Sequence, residues 1–228
     1  VSRRRLIVAF LEKYHIAKDA RIIDIGCSGG ELLADLMQLG YDNLYALDYS
    51  EEAIRICREK GISNAYVMDG HNPEFPEGHF DLIIASDSLE HLKDDQLALA
   101  NWSRILKPGG LLFVFVPAFM FLWSHHDDIN YHYRRYTRKE LKTKLRQSGL
   151  DIVQSGYWNT AVFLPTLAVR MLEKITGRNK KAAEKSDAIV VMPEALNRLM
   201  INVISVENFF CKNGLLPVGV STFAIARK

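Results

Sequence analysis

Apolar residues occur along this chain in two spacings. Short unbroken runs recur: Ile22-Ile23-Asp24-Ile25, Leu44-Tyr45-Ala46-Leu47, Ala65-Tyr66-Val67-Met68, Phe80-Asp81-Leu82-Ile83-Ile84-Ala85-Ser86 and Leu111-Leu112-Phe113-Val114-Phe115-Val116. Runs of this length suit strands covered on both faces of a parallel sheet. Between them the apolar positions fall at helical spacing. Leu6, Ile7, Phe10, Leu11 and Tyr14 predict a helix over 6–16, and 30–39 predicts a crossover helix stopped by Gly40. Ser50 caps a third helix that carries Glu51 and Glu52 in its first turn, and Lys107-Pro108-Gly109-Gly110 is the expected stop of a helix closing at Leu106. Alternating strands and helices of this kind build βαβ units.

The turn after the first strand carries the candidate chemistry. Asp24-Ile25-Gly26-Cys27-Ser28-Gly29-Gly30 joins a buried strand to the start of a helix, whose free N–H groups and partial positive charge face whatever binds there. Gly26 permits the sharp turn, and Gly29 and Gly30 permit close approach of a ligand. This is a cofactor site on a doubly wound sheet. A dinucleotide site requires G-x-G-x-x-G with pyrophosphate on the helix N-terminus. Here Ser28 takes the middle glycine place, and Asp24 would repel pyrophosphate but attract an ammonium group. Asp48 ends the second strand about 20 residues beyond the turn, where an acid accepts from both hydroxyls of a ribose.

Composition narrows the class. The chain has 228 residues, 48% hydrophobic and 25% charged, with a net charge of +2. That fits a globular domain with its own core and gives no electrostatic case for nucleic acid. Cys27, Cys57 and Cys211 are far apart in sequence, without a C-x-x-C pair, which excludes a thiolate metal cluster by spacing and suggests a reducing compartment. The Arg3-Arg4-Arg5 start lacks the features of a signal peptide, and no apolar run approaches a membrane span. A cytoplasmic protein is expected.

The ordered series of motifs resembles the class I S-adenosylmethionine-dependent methyltransferases. It comprises Asp24-x-Gly26-x-Ser28-x-Gly30, Asp48, Asp69-Gly70, Phe80-Asp81-Leu82-Ile83, Leu89-Glu90-His91-Leu92 and Leu106-Lys107-Pro108-Gly109-Gly110-Leu111, in the family's order and spacing over the first half of the chain. Ser28 departs from the family's glycine. The resemblance implies an α/β, doubly wound, Rossmann-like, mostly parallel seven-stranded sheet with helices on both faces and a helical substrate cap. It implies that the final strand, Ser221 to Arg227, runs antiparallel beside the fifth. It implies S-adenosylmethionine as cofactor, with S-adenosylhomocysteine as product, and an adenine contact from Asp69. The expected cofactor set is Asp24, Gly26, Cys27, Ser28, Gly30, Asp48, Tyr49, Asp69, Gly70 and Ser86.

Substrate choice falls to the second half. After Pro117 come Trp123, then Ser124-His125-His126-Asp127-Asp128, then Tyr131-His132-Tyr133-Arg134-Arg135-Tyr136-Thr137. His126 or Asp127 is a candidate general base, and Arg134 and Arg135 are a candidate clamp for an anionic group. His91, Trp123, His132 and Tyr136 complete the expected acceptor site. His126, Asp127 and His132 are acceptable metal ligands, but their loop spacing is not diagnostic, and no metal is expected. The same residue types also suit a purely structural loop. Thr137 with Glu140 forms a capping box for a helix over 138–147. The block is also similar to a methyltransferase subgroup associated with small molecules, lipids and surface-glycan precursors.

One domain over 1–228 is expected, with cap segments at about 117–137 and 157–215. A strand at 150–153 and a helical pattern at 193–210 flank a basic stretch over 173–187 that reads as a linker. The apolar segments at 161–172 and 196–210 suit, in this order, a pocket cap, a homodimer face and a peripheral membrane contact. Methyl transfer to oxygen or nitrogen of a small-molecule, lipid or glycan-precursor acceptor is the expected function. The rivals are an NAD(P)-binding oxidoreductase and a non-catalytic cofactor-binding module. No Asn/Asp-Pro-Pro-Tyr/Phe stretch follows the fourth strand, so nucleic acid is not an expected partner.

Overall fold

The computed structural model describes residues 2–176, 203, 206–213 and 216–228. In it α1 (Ser2–Lys13) precedes β1 (Ile22–Ile25), α2 (Glu31–Gln38), β2 (Leu44–Asp48), α3 (Glu51–Glu59), β3 (Asn64–Val67) and β4 (Phe80–Ser86). Then follow α4 (Asp95–Ile105), β5 (Leu106–Pro117), α5 (His125–Ile129), α6 (Arg138–Gln147), β6 (Asp151–Trp158), α7 (Phe163–Thr176) and β7 (Ser221–Arg227). The strands form one seven-stranded sheet in the order β3-β2-β1-β4-β5-β7-β6. β7 is antiparallel to both β5 and β6, and the pairings from β3 through β5 are parallel.

Side chains alternate across the sheet and define two cores. Ile22, Leu44, Ile84, Phe113 and Phe223 point to the face covered by α1, α2 and α3. Ile23, Leu47, Ile83, Val114 and Ala224 point to the face covered by α4 and α6. Burial on both faces is why these strands read as unbroken apolar runs. Phe10 anchors α1 among Phe113, Phe115 and Phe223, with ring centroids 5.3 to 6.4 Å away. On the other face Trp102 is fully buried, and its indole N–H donates to the Gly70 carbonyl at 2.8 Å. That bond ties α4 to the loop after β3.

Several boundaries differ from expectation for identifiable reasons. β5 begins at Leu106, because Leu106 pairs with Phe80. Lys107-Pro108-Gly109-Gly110 therefore forms an irregularity inside β5, between the Phe80–Leu106 and Leu82–Leu111 pairs, with Gly109 in the left-handed region and donating to the Lys228 carbonyl. β6 runs to Trp158, well beyond the predicted Val153. At Gly156 an added Cβ would come within 2.8 Å of the Phe223 ring, so the strand needs glycine there to lie against β7. α7 starts at Phe163 and accommodates Pro165 in its first turn, where no intrahelical N–H is required. It continues to Thr176, so the start of the expected linker is helical. The rest of that linker, and 193–202 of the predicted long helix, lie outside the described residues. Residues 206–212 are helical. Among the described residues no helix is long and apolar enough to cross a membrane.

Phe10→Ala is expected to destabilise the fold by about 3–5 kcal/mol, because it empties the contact between α1 and the sheet. Urea unfolding followed by far-UV circular dichroism measures this. A cost below about 1 kcal/mol would show that α1 does not depend on this anchor.

Candidate functional site

Strand order reverses between β1 and β4, and a crevice opens at the carboxyl ends of the strands there, as expected where crossovers depart in opposite directions. A cavity of about 400 Å³ occupies it, walled by Gly26 and Ser28 from the first turn, Asp48 and Tyr49 after β2, Gly70 after β3, and Asp87, Ser88 and His91 after β4. Ile25, Leu47 and Leu92 give it an apolar side.

The glycine turn is built for close packing. Gly26 has a φ of 75°, and a Cβ on it would sit 2.6 Å from that of Ser88. Gly30 also has positive φ, but it serves helix packing: a Cβ there would meet Cys57 Sγ and Ile62 Cδ1, each at 2.8 Å. Ser28 adopts a φ of 50°, so the residue replacing the family's glycine accepts a left-handed backbone. Its N–H donates to Asp48 Oδ2 at 2.9 Å, and the Ser50 N–H donates to Asp48 Oδ1 at 2.9 Å. Two backbone donors thus hold the Asp48 carboxylate at the cavity wall.

The structure brings together Gly26, Ser28, Asp48, Tyr49, Gly70 and His91 of the expected residues. Others lie elsewhere. Asp24 is buried beneath the turn, and burial, reinforced by Asp48, raises its pKa from 3.8 to about 7. Cys27 is a correction. Its thiol packs 3.7 Å from Cys57 Sγ and not into the cavity wall, and burial raises its pKa far above the ordinary thiol range. Asp69 Oδ1 accepts from the backbone N–H of His71 at 2.8 Å and lies 2.7 Å from its Nδ1, while Gly70 provides the wall. Ser86 Oγ accepts from Arg3 Nη1. The sequence reading missed Asp87 and Ser88. They stand in the segment it placed at the carboxyl end of β4, from which it selected only His91. Asp87 has a φ of 54° and pairs with Arg3.

A second cavity, of about 470 Å³, adjoins the first through Asp87 and His91. Glu90, His126, Asn130, His132 and Arg135 contribute to its wall, which makes it more polar than a cap over a greasy acceptor would be. Tyr133 N–H donates to the Glu90 carbonyl at 2.8 Å and fixes the 117–137 block against the β4 edge.

Within that block two buried carboxylates organise the neighbouring cations. Asp127 has no exposed surface. Arg135 Nε and Nη2 donate to its two oxygens at 2.8 and 2.9 Å, His132 Nδ1 lies 2.9 Å from Oδ1, and the Ser124 N–H donates to Oδ2 at 2.8 Å. Burial alone would raise the pKa of Asp127, but Arg135, Ser124 and His132 outweigh it and hold the carboxyl below its ordinary range. Asp127 as a catalytic base is therefore corrected: its oxygens are committed and it orients its neighbours. The anion clamp is corrected likewise. Arg135 is bound to Asp127, and Arg134 Nη1 pairs with Asp95 at 2.8 Å. Tyr136 is buried and donates to Asp95 Oδ2 at 2.9 Å, and Lys144 reaches Oδ1 at 2.9 Å. Trp123 Nε1 donates to Asp128. Trp123, Arg134, Arg135 and Tyr136 thus serve the block's own structure. His126 and His132 do reach the second cavity.

Residues 23–114 match the family described as methyltransferase domain. Over that stretch, β1 through most of β5, the chain is similar to methyltransferase domains. The ubiquinone biosynthesis O-methyltransferase of Xanthomonas oryzae pv. oryzae is 31% identical over 101 residues, 42% of each protein. That of Methylococcus capsulatus is 31% identical over 114 residues, 47% of this chain and 48% of its own. The match thus spans about half the length of these relatives or less, and it lies on the cofactor half of the fold. A SAM dependent methyltransferase from Archaeoglobus fulgidus superposes with a TM-score of 0.60 at 22% identity, covering 99% of this chain and 94% of that one. The cyclase SpnF superposes with a TM-score of 0.64 at 19% identity, covering 99% and 81%. Both likenesses show the fold alone, and a shared fold leaves the reaction to be argued from the site.

Two outcomes test these assignments. Asp24 gives up its proton near 3.8 when unfolded and near 7 when folded, so the ligand-free protein loses stability as pH climbs through that window. Thermal melts should show Asp24→Asn gaining on the wild type between about pH 4 and about pH 7. A pH-independent difference would refute the buried-acid assignment. Asp127→Ala should cost about 3–5 kcal/mol in denaturant unfolding, because it strands the Arg135 guanidinium. Full stability with loss of turnover would instead restore Asp127 as a base.

Proposed function

We propose that this chain transfers a methyl group from S-adenosylmethionine to a hydroxyl oxygen of a polar small-molecule acceptor. One observation carries the reading: a cofactor-sized cavity with carboxylates and, among the described residues, no Lys or Arg in its wall, joined through Asp87 and His91 to a second, polar cavity. The donor set fits this cofactor better than a dinucleotide. Asp48 can accept from a ribose diol, the apolar side formed by Ile25, Leu47 and Leu92 can take a flat base, and Asp87 offers a carboxylate to an ammonium group. Among the described residues the wall offers no Lys or Arg to a pyrophosphate. The named O-methyltransferase relatives support oxygen as the accepting atom.

When bound, the cofactor supplies a methyl group on a sulfonium, itself a good leaving group. What remains for the protein is alignment and exclusion of water. Gly26 would let the backbone come close to the cofactor, and Asp48, in the same cavity wall, would hold its ribose. The Asp127 and Asp95 clusters hold the 117–137 block rigidly over the second cavity. His126, in that wall, is the group assigned to take the acceptor's proton.

Calorimetry should show S-adenosylmethionine and S-adenosylhomocysteine binding at micromolar strength and NADH not binding. Asp48→Ala should weaken both ligands about tenfold or more, or ~1.4 kcal/mol. Binding of NADH alone would overturn the proposed activity, and unchanged affinity in Asp48→Ala would remove Asp48 from the cofactor site.

A further inference from the structure

Glu90 has no role in the account above, and its surroundings are unusual. It follows β4, in the 3₁₀ turn Leu89–His91, with no exposed surface, and neither carboxylate oxygen has a hydrogen-bond partner. A buried carboxylate without a partner is costly, and native structures retain one only for a reason. Arg3 and Arg135 lie close enough to act on Glu90 electrostatically, but neither donates to it: Arg3 pairs with Asp87, its Nε left unpartnered, and Arg135 is bidentate on Asp127. A Glu90 oxygen and one ring nitrogen each of His91 and His132 lie within 4.8 Å of one another. The two imidazoles meet edge to face, with centroids 4.6 Å apart. All three residues line the second cavity.

We propose that Glu90, His91 and His132 bind a divalent first-row transition-metal cation, with Zn²⁺ as the probe species. Two imidazoles and one carboxylate form a donor set that leaves coordination positions open, as catalytic zinc sites do. His132 also carries the outer support such a site requires. Its Nδ1 is held by buried Asp127, which fixes the ring and leaves Nε2 as the ligand atom. Asp127 is in turn held by Arg135 and Ser124, so the orientation is set before any ion arrives. All three ligand residues line the cavity assigned to the acceptor. An acceptor hydroxyl bound there would lose its proton more readily, and His126 would receive it. The role in catalysis rests on the proposed methyl transfer, whereas the binding site rests on the side chains alone.

The test is calorimetry of the metal-free full chain with Zn²⁺, beside the Co²⁺ absorption spectrum and S-adenosylmethionine binding in the presence of EDTA. One equivalent of Zn²⁺ is expected, with visible Co²⁺ bands of a nitrogen-containing site. Glu90→Gln removes a ligand without breaking any hydrogen bond seen here, and should weaken Zn²⁺ at least tenfold and change the Co²⁺ bands. His132→Ala should do the same, while His125→Ala, at a half-buried position on α5 outside the proposed ligand set, should leave both unchanged. No stoichiometric binding, or binding that Glu90→Gln leaves intact, overturns the metal site. If S-adenosylmethionine binds in that event, the proposed function survives. Zn²⁺ binding without S-adenosylmethionine binding would uphold the site and reject the methyl-transfer reading.

Discussion

The site depends on a topological constraint: the strand order cannot run outward from β1 in both directions without reversing between β1 and β4. Neighbouring loops must part at that place, and the carboxyl ends of the two strands are left facing a crevice. Everything that lines the cofactor cavity hangs from this gap. The glycine turn leaves β1, Asp48 closes β2, and Asp87 to His91 leave β4. The two cores on either face of the sheet hold these strand ends in register, so the loops diverge from fixed points.

The acceptor side is stabilised by a different means. Backbone bonds anchor the 117–137 block at Ala118, Phe119, Tyr133 and Tyr136, and two buried carboxylates fix its side chains. Asp127 draws in Arg135, His132 and Ser124, and Asp95 draws in Arg134, Tyr136 and Lys144. Buried ion pairs of this sort add little net stability compared with apolar packing, but removing one partner is expensive. Their contribution here is geometric. They convert a polar loop, which would otherwise be mobile, into a wall with a fixed set of histidines facing inward.

The sheet was legible because each doubly buried strand reads as an unbroken apolar run, and Asp48 was legible because the doubly wound fold puts an acid at a fixed distance from the turn. The extent of β6 was not, because Gly156 and the polar Gln154 and Ser155 break the apolar pattern while β7 still binds the strand. The second-half site was only half legible. His91 and His132 reach the cavity, but Asp127, Arg134 and Arg135 satisfy one another or Asp95 first. Pairing partners far apart in sequence, such as Arg134 with Asp95, leave no local signal. Glu90 was passed over for a related reason: an acid in a short loop looks solvated until the fold buries it.

The position of β7 has a consequence for how the chain reaches this state. β5 and β6 do not pair with each other, and each is bridged only by β7. Leu111-Leu112-Phe113-Val114-Phe115-Val116 is an uncharged hexapeptide of strong β-formers, and its outer edge stays open until β7 arrives about 100 residues later. At ribosomal rates that interval is roughly 5–20 s, long against the time a strand needs to find a wrong partner. The sheet that buries this segment so completely in the finished protein is therefore also the reason its synthesis passes through an aggregation-prone stage, when chaperone protection matters most.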